Sequence, residues 1–416
     1  MEDWKEYTIG ELIELINGFA FKSKDFVASG IPVIKIKNVK PNRILLNDLS
    51  YVSTETAQSA KCTKIQPSDI LITMTGNRKD GGIDSWVGKV ALFNHEGQFL
   101  LNQRVSAIRI KRTNIVDCRY LAYLLSSFES QLYFINHSNS SGGQANISPD
   151  VVNSYVVNLP SLQKQKNISK LLKSLDDKIE LNRRINDNLE QQAQALFKAW
   201  FVDFEPFKDG KFVDSELGKI PEGWKVVEAN YFMTISKESI NPTKNPTRLY
   251  THYSIPAFDE ALTPEIQFGR EIKSNKFLVY SGMTLFSKLN PRIKRIWFID
   301  EASNNSICST EFIPYKSLGA NCYFLYCYLK SKMFYDQAMS LVNGATGSHQ
   351  RFHPNETLKF LFAYKKEIVE EFNAIVTPTL KEMSKLSIEN RKLTRLRDTL
   401  LPRLMSGELN INTITE

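Results

Sequence analysis

Residues 163–204 read QKQKNISKLLKSLDDKIELNRRINDNLEQQAQALFKAWFVDF. Apolar and small residues fall at alternating three- and four-residue steps, at Ile168, Leu172, Leu175 and Ile179 and again at Leu189, Ala193 and Leu196. That spacing predicts the seam of a coiled-coil helix. Asn182 and Asn186 fill the same seam midway, and a polar residue there gives up stability for a fixed register and partner. Pro160 stands ahead of the run, and Pro206 and Gly210 behind it, as helix boundaries require. At 1.5 Å per residue, about forty residues make a rod of roughly 60 Å, which needs a partner.

The partner lies in the same chain. Residues 367–407 read EIVEEFNAIVTPTLKEMSKLSIENRKLTRLRDTLLPRLMSG, with Phe372, Val376, Thr379, Met383, Leu386, Asn390, Leu393 and Leu400 in the same alternation. Asn390 lies 204 positions after Asn186 (390 − 186), and Leu400 lies as far after Leu196. Two rods in one phase, each closing about half of the chain, predict an internal duplication. The globular parts agree with that reading. The run from Val279 (VYSGMTLFS) echoes that from Ile65 (IQPSDILIT), and Ile296-Trp-Phe echoes Val90-Ala-Leu. The run from Tyr323 (YFLYCYLKS) echoes that from Tyr120 (YLAYLLSS). Trp224-Lys225 echoes Trp4-Lys5, and the loop at Gly344 echoes the Ser141-Gly-Gly-Gln loop. Scaffold positions match while loops do not, which is the pattern of two readers of different sequences.

The expected class is α+β: two globular domains of mixed β-sheet with helices, and two long coiled-coil helices. The expected division is 1–158, the first rod at 159–208, a second globular domain at 209–362, and the second rod with its tail at 363–416. Strands are predicted from Ile31, Asp69, Gly88 and Val105, and a helix over 118–130. The chain has 416 residues and a net charge of +8, a mild basic balance that favours a polyanionic partner without establishing one. Five cysteines, at 62, 118, 308, 322 and 327, show no C-x₂-C pairing, which fits a reducing compartment. The first ten residues do not read as a secretory signal, and no apolar run approaches a membrane span, so a cytoplasmic location is expected.

No catalytic constellation emerges. The chain lacks a G-x-x-x-x-G-K-[ST] phosphate loop, a G-x-G-x-x-G after a strand, and the Asn-Pro-Pro-aromatic signature of amino-group methyltransferases. His349 and His353 are four apart, but HQRFHP reads as a loop without the carboxylate of H-E-x-x-H, so no metal is expected. Polar and basic loops do recur at corresponding places. Asn77, Arg78 and Lys79 follow one strand, and Lys288, Arg292, Lys294 and Arg295 follow its echo with no acid among them. Gly142, Gly143 and Gln144 form a second loop, with Ser348, His349, Gln350 and Arg351 in the corresponding one. Cationic side chains neutralise phosphates, glycine amides approach them closely, and Asn, Gln and Arg also read base edges.

Three stretches carry a family resemblance. LFKAWFVDFEPF (196–207), SELGKIPEGW (215–224) and LRDTLLPRLMSGEL (396–409) resemble the specificity subunit of type I restriction–modification systems, and the likeness runs along essentially the whole chain. The early part of the second rod, 367–385, departs from the family pattern. The resemblance implies two target-recognition domains in a pseudo-twofold molecule, with the two long coiled-coil helices antiparallel, a non-catalytic DNA-recognition role, and a bipartite asymmetric target. It implies double-stranded DNA as ligand and two methyltransferase subunits as partners, with two restriction subunits joining optionally. S-adenosylmethionine would enter with the methyltransferase, ATP and Mg²⁺ with the restriction subunit, and no cofactor with this chain. The aromatic cluster Phe197, Trp200, Phe201, Phe204 and Phe207 exceeds what a two-helix seam can bury, so part of it is expected to cap the rod and part, with Leu400 and Leu404, to dock those partners; burial against the second globular half is the alternative. The alternative is an orphan DNA-binding regulator or a coiled-coil scaffold.

Overall fold

The computed structural model describes residues 4–60, 63–78, 85–141, 144–319, 321–342 and 352–409. The chain divides into two compact units, Met1–Lys178 with Leu393–Glu416, and Ile179–Lys392. The two predicted rods are helices of 40 residues each, Leu162–Phe201 and Lys366–Met405, and each passes from one unit into the other along its length.

Within the first unit, a four-stranded antiparallel sheet runs in the order Val90–Leu92, Ile70–Thr73, Val105–Ile110, Ile13–Asn17. In the second unit the corresponding sheet runs Ile296–Ile299, Met283–Ser287, Phe312–Ser317, Met233–Ile235. Register agrees as well as order. Val90 faces Ile72 where Ile296 faces Phe286, and Val105 faces Thr73 where Phe312 faces Ser287. A second sheet in each unit contains one parallel pair, Leu100–Leu101 beside Ile31–Ile34 and Ser306–Cys308 beside Leu249–Tyr253. Each unit also pairs an early strand with the one that feeds a long helix: Lys5–Thr8 with Val156–Leu159, and Lys225–Glu228 with Leu361–Tyr364. The duplication read from the echoes therefore extends to hydrogen-bond register.

The expected helix over 118–130 is two helices, Cys118–Leu125 and Phe128–Asn136. Ser127 breaks the run because its Oγ accepts from the Ser130 amide (3.2 Å) and starts a new helix. Ser331 performs the same task in the second unit, accepting from the Phe334 amide (3.2 Å) between Cys322–Lys330 and Lys332–Ser340.

The long-helix seam is buried at Ile168, Leu172, Ile179, Asn182, Ala193, Phe372, Val376 and Leu386, while Leu175, Asn186, Leu189, Leu196, Thr379, Met383, Asn390, Leu393 and Leu400 are half-buried. In the first unit, Ile168 and Leu172 join Tyr120, Leu121, Leu401, Leu404 and Met405 in one core. Asp176 is clamped there by the Tyr123 hydroxyl (2.6 Å) and Arg397 Nη1 (2.8 Å). In the second unit, Asn182 Nδ2 donates to Asn390 Oδ1 (2.9 Å) and Glu389 Oε2 (2.7 Å), and Asn186 Nδ2 donates to Ser387 Oγ (3.1 Å). As the number rises on one helix it falls on the other, so the two run antiparallel there. The second helix continues through Pro378, which lacks the amide that would meet the carbonyl four residues back. Gly407 ends it with φ +76, and a Cβ there would come within 2.8 Å of the Trp4 ring.

Candidate nucleic-acid interface

In the first unit the polar loops converge on a three-stranded ribbon separate from the four-stranded sheet. Asn139–Ser141 pairs with Gln144–Asn146, which pairs in turn with Thr75–Gly76. Ala145 faces Gly76 and Asn146 faces Thr75, so Gln144 and Asn77 extend the same edge. Thr75 Oγ1 donates to Asn146 Oδ1 (2.7 Å), tying the strands through their side chains. Glycine is required at position 76, because a Cβ would come within 2.5 Å of the Val87 amide nitrogen. That close approach lets Asn77 bond backbone to backbone on its other side, to Ser85 (2.8 Å) and Val87 (2.9 Å).

Arg78 Nη2 donates to the Ser138 carbonyl (3.0 Å), and Arg104 Nη1 donates to Gln144 Oε1 (3.0 Å). Arg78, Arg104, Asn139 and Gln144 are all exposed, with Asn77 half-buried beside them. Both guanidinium contacts end on neutral oxygens, so among the described residues neither charge is cancelled by a carboxylate. Arg78, Asn77, Asn139 and Gln144 on or beside the ribbon, with Arg104 reaching it from just ahead of the sheet strand Val105–Ile110, make a surface suited to phosphates and base edges. Lys79, Gly142 and Gly143 lie outside the described residues.

Arg104 and Asn139 were not among the residues singled out from the sequence. The signal for Arg104 was present: it precedes the strand starting at Val105, and antiparallel pairing with the strand at Ile70 carries it beside Met74. The Met74 amide indeed donates to the Arg104 carbonyl (2.9 Å).

The second unit treats its basic segment differently. Segment 288–295 connects Met283–Ser287 to Ile296–Ile299, and the Tyr335 hydroxyl holds it by donating to the carbonyls of Pro291 (2.9 Å) and Arg292 (3.1 Å). Arg295 is a correction to the expected interface. It is 8% exposed, and its Nε and Nη2 form a fork to Asp259 at 2.6 and 2.7 Å. The acid missing from the local sequence arrives from 36 residues upstream and commits this charge to the fold. Lys294 lies 5.1 Å from the centre of the Tyr335 ring and donates to the Lys330 carbonyl. Burial, with the neighbouring Lys330 charge, lowers its pKa. Arg292 is exposed and Lys288 half-buried, and these two remain available. Ser348, His349, Gln350 and Arg351 lie outside the described residues.

The expected docking set is also corrected. Phe197 and Phe201 are 1% and 2% exposed, at the centre of the second unit's own core with Trp224, Phe324, Phe362 and Phe372. Trp200 and Phe204 are half-buried against the same core, at 5.8 Å from Phe372 and 5.3 Å from Trp224. Leu404 is fully buried in the first unit's core, with Leu400 half-buried against it. Phe197, Phe201 and Leu404, removed from water by their own unit, offer little apolar area to a partner, whereas Trp200, Phe204 and Leu400 keep part of theirs exposed.

Residues 1–191 match the family described as type I restriction modification DNA specificity domain. The chain is 27% identical to the type I restriction enzyme HindI specificity subunit of Haemophilus influenzae over 476 aligned residues, covering 98% of this chain and all of that one. It is 26% identical to the type I restriction enzyme MjaIX specificity subunit of Methanocaldococcus jannaschii, covering 72% and 71% of the two chains. The crystal structure of the type I restriction–modification S subunit from M. genitalium shares the fold, with a TM-score of 0.55 at 14% identity and coverage of 97% and 96%. Among the described residues, no helix is long and apolar enough to cross a membrane.

Proposed function

We propose that this chain is a specificity subunit of a type I restriction–modification system, in which each compact unit reads one half of a bipartite, asymmetric DNA target. The observation that carries the reading is identical sheet register in the two units beneath segments that differ in length and chemistry. Segment 74–89 supplies a strand to the polar ribbon, whereas the corresponding segment 288–295 is half as long and bound to Tyr335 and Asp259.

In the first unit, the two strands 139–141 and 144–146 form a ribbon of a width that a major groove of about 12 Å admits. Arg78 neutralises phosphate and sets register, while Asn77, Arg104, Asn139 and Gln144 reach base edges. In the second unit, Lys288 and Arg292 hold the backbone of the other half-site. The chain itself performs no chemistry and is cytoplasmic. Two methyltransferase subunits supply S-adenosylmethionine and methylate adenine N6 in each half. Restriction subunits, where they join, supply ATP- and Mg²⁺-dependent cleavage.

The test is a genome-wide map of N6-methyladenine in cells with and without this gene, the companion methyltransferase being present. A gapped motif, methylated on opposite strands and lost with the gene, is expected. An unchanged methylome refutes the reading. Replacing the first globular domain should alter one half of the motif alone, and a change in both halves would refute the assignment of one reader to each unit.

A further inference from the structure

We propose that Arg104 and Gln144 act as one donor-only reader, and that the base pair they select in the first half-site is G·C, read at guanine. The inference rests on the proposed role of the first unit in DNA recognition. Arginine carries no acceptor, so the Gln144 atom 3.0 Å from Arg104 Nη1 must be the amide oxygen. The amide orientation is thereby fixed, and Nε2 with its two hydrogens has no acceptor among the described residues. A free glutamine presents one acceptor and one donor, the pattern that pairs with adenine N6 and N7. Here Arg104 takes one of the two lone pairs of Oε1, and the guanidinium beside it places further N–H groups next to anything that approaches the other. An adenine N6 amino group would meet that edge donor against donor. Guanine O6 and N7 are both acceptors and meet it with complementary sign. Thymine offers one acceptor and cytosine a donor, so both fit less well.

The pair is built from two braced backbones. Arg104 is tied through its carbonyl to the Met74 amide (2.9 Å), and Val105 beside it sits in register with Thr73. Gln144 opens a strand paired on both sides, and its neighbour Ala145 is buried. The two side chains come from segments 40 residues apart, so their contact is a product of the fold.

The test uses the full-length chain with its companion methyltransferase, again read as the map of methylated adenines. The wild-type motif should contain one G·C pair in the half-site that changes when the first globular domain is exchanged. Gln144→Ala should relax that single position, lowering discrimination roughly 5- to 150-fold, the range of one bidentate base contact. Arg104→Met should free Oε1 and broaden the position from G to G or A, an outcome that a merely structural role for Arg104 would not produce. Arg104→Lys retains a donor and should keep G preferred. Both residues are exposed, and thermal midpoints of the variants should match the parent chain. The inference is overturned if no position is relaxed in Gln144→Ala, if the relaxed position is A·T, or if Arg104→Met leaves it G alone. Equal loss of methylation at every site overturns it too. A wild-type chain that specifies no gapped motif overturns the proposed function, and this inference with it.

Discussion

Asn182→Ala removes an amide that is 0% exposed and holds the two long helices together inside the second unit. Its Nδ2 donates to Asn390 Oδ1 and Glu389 Oε2, while its own Oδ1 is buried without a partner. Losing a neutral hydrogen bond costs about 1 kcal/mol, and losing one to a carboxylate about 1.5–3 kcal/mol. Relief of the orphaned oxygen returns about 1–3 kcal/mol, so the net expected loss is about 1–2 kcal/mol. For a unit of this size each kcal/mol moves the melting temperature by about 2–4 °C, which predicts a fall of roughly 2–8 °C. The double variant Asn182→Leu/Asn390→Leu removes both amides and the orphan together and places apolar side chains in an apolar seam. It should melt at or above the parent, because a buried polar pair is often matched by well-packed hydrophobic residues. The polar pair is then a device for register, and the leucine variant should be the more stable and the less specific in its pairing. Calorimetry of the full chain measures the shift, and hydrogen exchange of helical amides around residue 182 locates it. A change below about 1 °C in Asn182→Ala, or a double variant less stable than the single, would refute the reasoning.

Arg295→Ala should destabilise the second unit by about 1–2 kcal/mol, since it removes the fork to a half-exposed Asp259, whereas Arg292→Ala should leave the melt unchanged and lower the salt slope of DNA binding by about one. Equal melts, or equal salt slopes, would refute that assignment. Phe197→Ala should cost about 3–5 kcal/mol by opening a cavity among Phe201, Phe324, Phe362 and Phe372, seen as loss of the second unit's melting transition; a stable variant defective only in partner binding would restore the docking reading. His252 has its pKa lowered by burial, an effect the Gln267 hydrogen bond (2.7 Å) offsets in part and the Lys276 charge deepens. The unfolded chain then binds more protons as pH falls below about 6.5, so the stability present above that value declines toward the lower folded pKa. Denaturation across that window should show the decline, and His252→Gln should flatten it.

The duplication was legible because apolar runs keep their phase even where loops change length. The echo of Ile65 at Val279 and of Val90 at Ile296 predicts which strands correspond, and the register agrees residue by residue. Long amphipathic helices were legible for the same reason. The break at Ser127 was not, because apolar residues continue across it and only the hydroxyl-to-amide cap marks the new start. The partner of Arg295 was not legible either, since a cation cluster without nearby acids says nothing about Asp259 folded against it. The aromatic run at 197–204 misled for a related reason. A two-helix seam cannot cover it, but Trp224, Phe324 and Phe362 arrive from distant segments and do.

The separation of the ribbon from the sheet explains how recognition can diverge while the fold is kept. Strands 139–141, 144–146 and 75–76 hydrogen-bond among themselves and add nothing to the four-stranded ladder beneath. Changing Asn77, Arg78, Asn139 or Gln144 therefore alters exposed or half-buried side chains whose loss costs the core almost nothing. Ala145 and Gly76 are the opposite case: one is buried, and the other has no room for a methyl group. The second unit spends its basic segment otherwise, fixing Arg295 to Asp259 and leaving Arg292 outside. Among the described residues, the first unit thus carries an amide-rich ribbon and the second a short cationic segment in place of residues 74–89, a difference in chemistry that agrees with the proposed reading of two unlike half-sites.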